Sequence, residues 1–175
     1  ETPDSNKEQV IVIKLPNDNS GRAVEDAQGT GAATQHLDDV TVFLLSDQLV
    51  NKVEVFTAEE RTAKAKRIEQ VPGAINRVIV VANAHGAAIS GLTTANAIYN
   101  YAFTIASQYP AGKSGLEGRT LIGDGSPVAK ADPYPGPGPS TNPNDPNHGD
   151  LNHIYKEAEV DLKAITSRIE VGDVS

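Results

Sequence analysis

Short β-branched runs separated by turn residues constrain the fold of this chain more than any other sequence feature. Such runs occupy residues 10–15, 39–46, 49–56, 66–71, 77–83, 119–122, 154–162 and 165–172. β-Branched and aromatic side chains favour strands, whereas Gly, Pro, Asn and Asp favour the turns between them. The runs do not alternate with helices, as they would around a parallel sheet. The sequence therefore predicts an all-β sandwich of about seven strands.

Two pairs of neighbouring strands are predicted within this series. Residues 39–46 and 49–56 flank a short polar break, which favours a hairpin. Residues 66–71 and 77–83 form a second candidate pair, with Val71-Pro72-Gly73 as the turn. The run 77–83 is apolar on both faces, and a strand of this kind usually lies in the middle of a sheet.

One helix is predicted, and it begins near a pair of threonines. Thr93 or Thr94 can cap its first amides, and the periodic apolar residues continue to Ala106. Ile98 and Tyr101 fall on one face at helical spacing. A face of this kind is typical of packing against a core, and we expect it to be buried rather than to form a binding groove.

The first run and the polar stretch after it indicate how a strand could leave the domain. The run consists of Val10, Ile11, Val12, Ile13, Lys14 and Leu15. Pro16 ends it, and a polar segment that includes Arg22 continues to His36. Proteases cut exposed, extended segments, so a single cut here would release the strand. The groove left behind would have unpaired backbone groups and would accept a strand from another molecule.

Composition limits the classes of partner and site. With 175 residues the chain is long enough for one domain with a well-formed core. The net charge of −8 argues against a nucleic-acid partner. Because cysteine is absent, neither a disulfide framework nor a thiolate metal site can form. Methionine is absent too, so we expect a processed or trimmed chain from which any signal or lipid-anchor segment has been removed.

No motif in the sequence recommends an enzyme or a cofactor. Nucleophile elbows, phosphate-binding glycine loops and paired metal-binding histidines are all missing from the sequence. Asp124 lies between Gly123 and Gly125, a combination that favours a turn, although a hydrolase site around this carboxylate stays open as an alternative. We therefore predict a protein that is not an enzyme and has no catalytic residue and no cofactor.

Residues 132–150 are rich in proline, glycine, asparagine and aspartate, which predicts a long projecting surface loop. His148 and His153 lie in or beside it, but the loop offers no evident means of holding metal ligands at fixed distances. We predict no metal site. Calcium bound by the oxygen-rich residues 142–150 stays open, although the spacing of an EF-hand is missing.

Five short segments together resemble the N-terminal domain of the Bacteroidetes fimbrillins, the type V pilins. They are Val10-Ile11-Val12-Ile13-Lys14-Leu15, Asn19-Ser20-Gly21-Arg22-Ala23, Asp39-Val40-Thr41-Val42-Phe43, Val80-Val81-Ala82-Asn83 and Ser167-Arg168-Ile169-Glu170-Val171. The segments are spread over nearly the whole chain, and the last two are the most specific. The chain is therefore identified as similar to a fimbrillin.

The resemblance implies a transthyretin-like β-sandwich that is exported as a lipoprotein to the outer-membrane surface and assembled into fimbriae. It implies that an arginine-specific protease cuts between Arg22 and Ala23 and releases the strand Val10–Leu15. A β-strand donated by another fimbrial subunit would then refill the groove. On this basis residues 1–175 form a single N-terminal domain, in which residues 1–38 hold the first strand and the processing loop. The second domain of the family would lie outside this chain.

A different class of function stays open beside the fimbrial one. A surface module that binds carbohydrate or a host protein, and never polymerises, could use the 132–150 loop and Tyr134 as its contact points. An aromatic ring next to polar groups suits stacking against a sugar.

Overall fold

The computed structural model describes residues 8–16, 37–103, 119–131 and 154–165. Within these ranges the chain forms nine strands and two short helices. The strands are β1 (Gln9–Lys14), β2 (Val40–Ser46), β3 (Leu49–Val55), β4 (Ala65–Val71), β5 (Arg77–Ala82), β6 (Leu121–Gly125), β7 (Val128–Ala129), β8 (Ile154–Glu159) and β9 (Lys163–Ala164). The helices are α1 (Ala58–Ala63) and α2 (Ala95–Tyr99). Neither helix is long and apolar enough to cross a membrane.

The strands form two sheets, which confirms the prediction of an all-β sandwich. One sheet has four strands in the order β4-β1-β8-β7, and the other has five in the order β3-β2-β5-β6-β9. Among the described pairs, β1 with β8 runs parallel and the others run antiparallel. The expected hairpin of residues 39–56 is confirmed as β2 and β3.

The main core lies between the two sheets. The four-stranded sheet contributes Ile11 and Ile13 from β1, and the five-stranded sheet contributes Val42 and Val80; all four side chains are fully buried. Burial of aliphatic side chains of this size is the main stabilising term for a domain with few aromatic residues.

A second layer of apolar packing covers the outer face of the five-stranded sheet. Ile79 and Val81 point away from the main core and contact Ala95 and Ile98 of helix α2. Strand β5 is therefore buried on both faces and lies between β2 and β6, as its sequence predicts. The predicted burial of the helix face is also confirmed, because Ile98 is 2% exposed.

Helix α2 begins where the sequence indicates but ends earlier than expected. The Thr94 hydroxyl accepts a hydrogen bond from the Ala97 amide at 3.1 Å, which caps the first turn. The helix stops at Tyr99, and residues 101–103 are not helical. Tyr101 and Phe103 instead pack edge to face, with ring centroids 4.8 Å apart, against the outer apolar layer. The rest of the expected helix, to Ala106, lies outside the described residues.

The expected pairing of residues 66–71 with 77–83 is wrong, although both segments are strands. β4 pairs with β1 in one sheet, and β5 pairs with β2 and β6 in the other. The connection between them crosses from sheet to sheet, and its Ile75 is buried at 1% exposure in the main core. The chain does turn after Val71, where the Ile75 amide donates to the Pro72 carbonyl at 3.1 Å, but this turn leads to the other sheet and not into a hairpin.

Helix α1 was missed, although the sequence contains a signal for it. Thr57 and Glu60 form a capping box: the Glu60 amide donates to the Thr57 hydroxyl at 3.2 Å, and the Thr57 amide donates to the Glu60 carboxylate at 2.9 Å. A threonine followed three residues later by glutamate marks the start of a helix.

The turn predicted at Gly123-Asp124-Gly125 is wrong, because all three residues belong to strand β6. Both glycines lie against the backbone at the end of β8 and directly after it. A Cβ atom on Gly123 would meet the Asp161 carbonyl oxygen at 2.5 Å, and one on Gly125 would meet the Glu159 carbonyl oxygen at 2.7 Å. The glycines therefore serve close packing between the two sheets rather than a change of chain direction.

We expect Gly123→Ala to lower the free energy of unfolding by about 1–3 kcal/mol, because backbone atoms must move to admit the methyl group. Gly91→Ala is the matched control, since a Cβ atom there would meet no atom within 4 Å. Urea denaturation of both variants measures the difference. Equal stability of the two variants would contradict the close approach of the sheets at Gly123.

Candidate functional site

The strand that the sequence analysis singled out, β1, is paired along both of its edges. Antiparallel pairing with β4 runs from Gln9 opposite Val71 to Lys14 opposite Ala65. Parallel pairing with β8 runs from Gln9 opposite Ile154 to Lys14 opposite Glu159. β1 is therefore a central strand, and it occupies a groove between β4 and β8.

Side chains of β1 and of the residue after it alternate between the two faces of the sheet. Ile11, Ile13 and Leu15 point into the main core and are 0%, 0% and 4% exposed. Val12 and Lys14 occupy positions of the opposite face, where both are half-buried. The floor of the groove thus consists of pockets for three alternate apolar side chains.

Both ends of β1 are fixed by additional hydrogen bonds. Beyond the C-terminal end, the Leu15 amide donates to the Lys64 carbonyl at 2.9 Å, and the Lys14 carbonyl accepts from the Val160 amide at 2.9 Å. At the N-terminal end the side chain of Gln9 donates to backbone carbonyls of the β4–β5 connection. The strand is therefore held independently of the chain that follows it.

An ion pair on the outer face connects β1 to its parallel neighbour. Lys14 Nζ lies 3.1 Å from the Glu157 carboxylate, which also contacts Lys130 Nζ at 3.4 Å and accepts a hydrogen bond from the Tyr155 hydroxyl at 3.0 Å. Burial of Glu157 raises its pKa, but the hydrogen bonds and charges of Lys14, Tyr155 and Lys130 outweigh burial and hold the pKa below its usual range. Lys14 thus adds a charged contact to the apolar ones beneath the strand.

The energetic role of β1 follows from its burial. Full burial of an aliphatic side chain is worth about 1.5–3 kcal/mol. The three core-facing side chains then stabilise the fold by roughly 5–9 kcal/mol, which is comparable with the ~5–15 kcal/mol net stability of a whole domain. An empty groove would cost most of the stability of the domain, so any replacement strand must enter as β1 leaves.

The predicted cleavage site falls outside the described residues. Arg22 and Ala23 belong to the segment between Pro16 and Leu37. Strand β1, before this segment, lies in the four-stranded sheet, and strand β2, after it, lies in the five-stranded sheet. A cut anywhere within it would leave β1 attached to the domain by non-covalent contacts alone. The 132–150 loop and the closing strand expected at 165–172, apart from Ile165, also lie outside the described residues.

Asp124, the alternative catalytic candidate, belongs to a cluster on the outer face of the five-stranded sheet. Its Oδ2 accepts hydrogen bonds from Arg77 Nε at 3.0 Å and from the Tyr99 hydroxyl at 2.8 Å. The Arg77 guanidinium carbon lies 5.9 Å from the centroid of the Tyr99 ring. The cluster joins β5, β6 and α2, so it fastens the helix to the sheet. In the described ranges, no group of three or more His, Asp or Glu side chains could hold a metal ion.

Comparison with known proteins supports the fold. No protein-family model and no curated protein matches the chain. The structure is similar to the crystal structure of a candidate cell adhesion protein from Bacteroides eggerthii DSM 20697, with a TM-score of 0.54 and 13% sequence identity. The match covers 91% of this chain and 41% of that protein, so this chain spans about two fifths of its length. At this identity the likeness is evidence for a shared sandwich fold.

We expect the stability of the domain to fall in acid partly through Glu157. Because its pKa is lowered in the folded state, Glu157 stabilises the fold above the unfolded pKa of about 4.3, and this contribution is lost as the pH falls through the folded pKa. Glu157→Gln should therefore reduce the loss of melting temperature between neutral pH and pH ~3. Glu159→Gln, one position further along the same face and exposed, is the control. Thermal denaturation across this pH range measures the effect, and identical acid dependence of both variants would contradict it.

We also expect the Tyr99 hydroxyl to report on the Asp124 cluster. Burial and the hydrogen bond to Asp124 raise the pKa of Tyr99 to about 12. Asp124→Asn removes the negative charge and should lower this pKa towards the ordinary ~10, with burial keeping part of the shift. Titration of the tyrosine Cζ signal by NMR measures it. Glu59→Gln, on exposed helix α1, removes the same charge elsewhere and should leave the pKa of Tyr99 unchanged; a matching shift in the control would refute the specific contact.

Proposed function

We propose that this chain is the N-terminal domain of a cell-surface fimbrial subunit or of a fimbria-associated adhesin, activated by proteolysis and assembled by strand exchange. An arginine-specific protease cuts between Arg22 and Ala23, and β1 then leaves the groove between β4 and β8. A strand from another subunit replaces it. The domain reaches the outer-membrane surface as a lipoprotein and contributes to adhesion.

The observation that carries this proposal is the position of β1. It precedes every other described element, yet it lies in the middle of its sheet and, together with Leu15 directly after it, supplies three buried side chains to the main core. Because β1 precedes the other described strands, one cut between β1 and β2 separates it from all of them. The same groove then offers backbone partners on two edges and alternate side-chain pockets, which are the requirements for binding an added strand.

Three of the six arginines in the sequence lie inside a helix or a paired strand, where cleavage is disfavoured. Arg61 lies in helix α1, and Arg67 and Arg77 lie in strands β4 and β5. A protease needs an extended segment that can enter its active site, so arginines inside helices and paired strands are poor substrates. We therefore expect the protease to leave these three positions intact in the folded domain.

Adhesion without polymerisation is the second candidate function. The similar protein from Bacteroides eggerthii is described as a candidate cell adhesion protein, and that description does not mention fimbriae. A module of this kind would bind a host protein or a glycan, with Tyr134 and the 132–150 loop as contact points. It would not depend on a cut at Arg22.

Limited digestion of the folded chain with an arginine-specific protease tests the first proposal. We expect a single early cut between Arg22 and Ala23, identified by mass spectrometry, with both fragments co-eluting because β1 remains paired on two edges. On incubation the cut protein should form oligomers by size-exclusion chromatography or exchange its first strand for an added β1 peptide, whereas the Arg22→Gln variant should do neither.

Two results would contradict strand exchange. One is cleavage elsewhere in the folded domain with Arg22 intact. The other is a cut protein that stays monomeric and keeps its own strand when an excess of β1 peptide is added. Binding of a glycan or a host protein with equal strength by intact and cut protein would then favour the non-polymerising adhesive module.

A further inference from the structure

The inward-facing side chains of the first strand begin with a polar residue. Gln9 is 1% exposed, and it precedes Ile11, Ile13 and Leu15 on the same face. Burying an amide beside three apolar side chains is costly unless its hydrogen bonds are made. The contacts of Gln9 therefore indicate what this position does.

The Gln9 side chain is held by two backbone carbonyls of the connection between β4 and β5. Its Nε2 donates to the Pro72 carbonyl at 2.8 Å and to the Ile75 carbonyl at 3.1 Å. These two bonds use both amide protons and fix the orientation of the amide, because a flipped amide would place an oxygen against two oxygens. Among the described residues, Gln9 Oε1 is buried without a hydrogen-bond partner. The pocket thus requires a donor, and it makes no use of the acceptor.

The apolar side chains of β1 cannot by themselves fix the register of the strand. Ile11, Ile13 and Leu15 repeat every two residues, so a shift of the strand by two positions still presents apolar side chains to two of the three pockets. Such a shift would place Ile11 against the carbonyls of Pro72 and Ile75. A buried polar contact at one position removes this ambiguity, as buried polar residues do in coiled coils.

The backbone of β4 supports the same register. Gln9 pairs with Val71, whereas Ile11 pairs with Ile68, so β4 has an extra residue in this interval. Gln70 in this bulge has a φ of 54°. A bulge matches one alignment of the opposite strand, and here it lies beside the position that Gln9 occupies.

We infer that Gln9 fixes the register of the strand that occupies the groove between β4 and β8. The groove therefore selects a strand in which a residue with a side-chain amide is followed, two, four and six positions later, by apolar residues. The inference rests on the proposed strand exchange and specifies its partner. The partner is a segment of another subunit that runs parallel to β8 and presents its amide to the carbonyls of Pro72 and Ile75.

Peptide exchange into the full chain after the cut at Arg22, with both fragments present, tests the inference. The probe is a labelled peptide of residues 8–16, compared with the same peptide carrying Gln9→Leu, Gln9→Glu or, as an outward-facing control, Val12→Ile. We expect the unchanged and Val12→Ile peptides to enter and stay bound. The Gln9→Leu peptide should dissociate at least about tenfold faster, because it leaves two buried carbonyls unpaired. The Gln9→Glu peptide should not enter, because it opposes oxygens with oxygens.

The register can be read directly, because the chain contains no cysteine. In the native register Val12 lies opposite Arg67, and Ala65 lies opposite Lys14. A Lys14→Cys peptide should therefore form a disulfide with an Ala65→Cys protein and not with an Arg67→Cys protein. A shift by two residues that places Ile11 in the position of Gln9 brings residue 14 opposite Arg67, so the addition of Gln9→Leu to the peptide should produce disulfides with Arg67→Cys.

The outcomes separate the inference from the proposed function. Entry of all the peptides with equal lifetimes and one register would overturn the role of Gln9 and leave strand exchange intact. Equal binding of the unchanged and Gln9→Leu peptides, with only the Gln9→Glu peptide excluded, would also overturn it, because the pocket would then merely reject charge. If none of the peptides enters, strand exchange itself is refuted, and the selection of a partner strand with it.

Discussion

The pairing of β1 with both of its neighbours is the interaction on which the four-stranded sheet depends. β4 does not pair with β8 directly; β1 lies between them and supplies the hydrogen bonds of both edges. Without β1, the sheet would divide into an isolated β4 and the pair β8–β7. An isolated strand is not stable in water. The first segment of the chain therefore completes a sheet whose other strands come from much later in the sequence.

The five-stranded sheet has no comparable weakness. Its central strand β5 is covered on one face by the main core and on the other by the segment that contains α2. Asp124 ties this helix to the sheet through Arg77 and Tyr99, and the two glycines of β6 allow the sheets to approach closely. The pairing of the five-stranded sheet therefore does not involve β1, whereas the pairing of the four-stranded sheet depends on it.

Sequence patterns predicted local structure well and long-range pairing less well. The apolar run of β5 identified a central strand, and Thr94 identified a helix start, because both depend on residues that are close in sequence. The pairing of β4 with β5 was wrong because a short connection with Pro72 and Gly73 suits a turn as well as a crossover. Gly123 and Gly125 were assigned to a turn because the backbone that they touch belongs to a segment after residue 158. Gln9 was outside the predicted strand altogether, since nothing in the sequence shows which carbonyls surround it.

The sequence by itself determined most of the longer strands, the sandwich class and the identity of β1 as a buried apolar segment, because side-chain alternation and β-branching act locally; the two-residue strands β7 and β9 match no predicted run. Only the tertiary structure decided that β1 lies between β4 and β8 and runs parallel to β8. It also decided that Gln9 meets two carbonyls and that Lys14 meets Glu157. These contacts join residues far apart in the chain, and their partners are chosen by the packing of the two sheets rather than by any pattern within one segment.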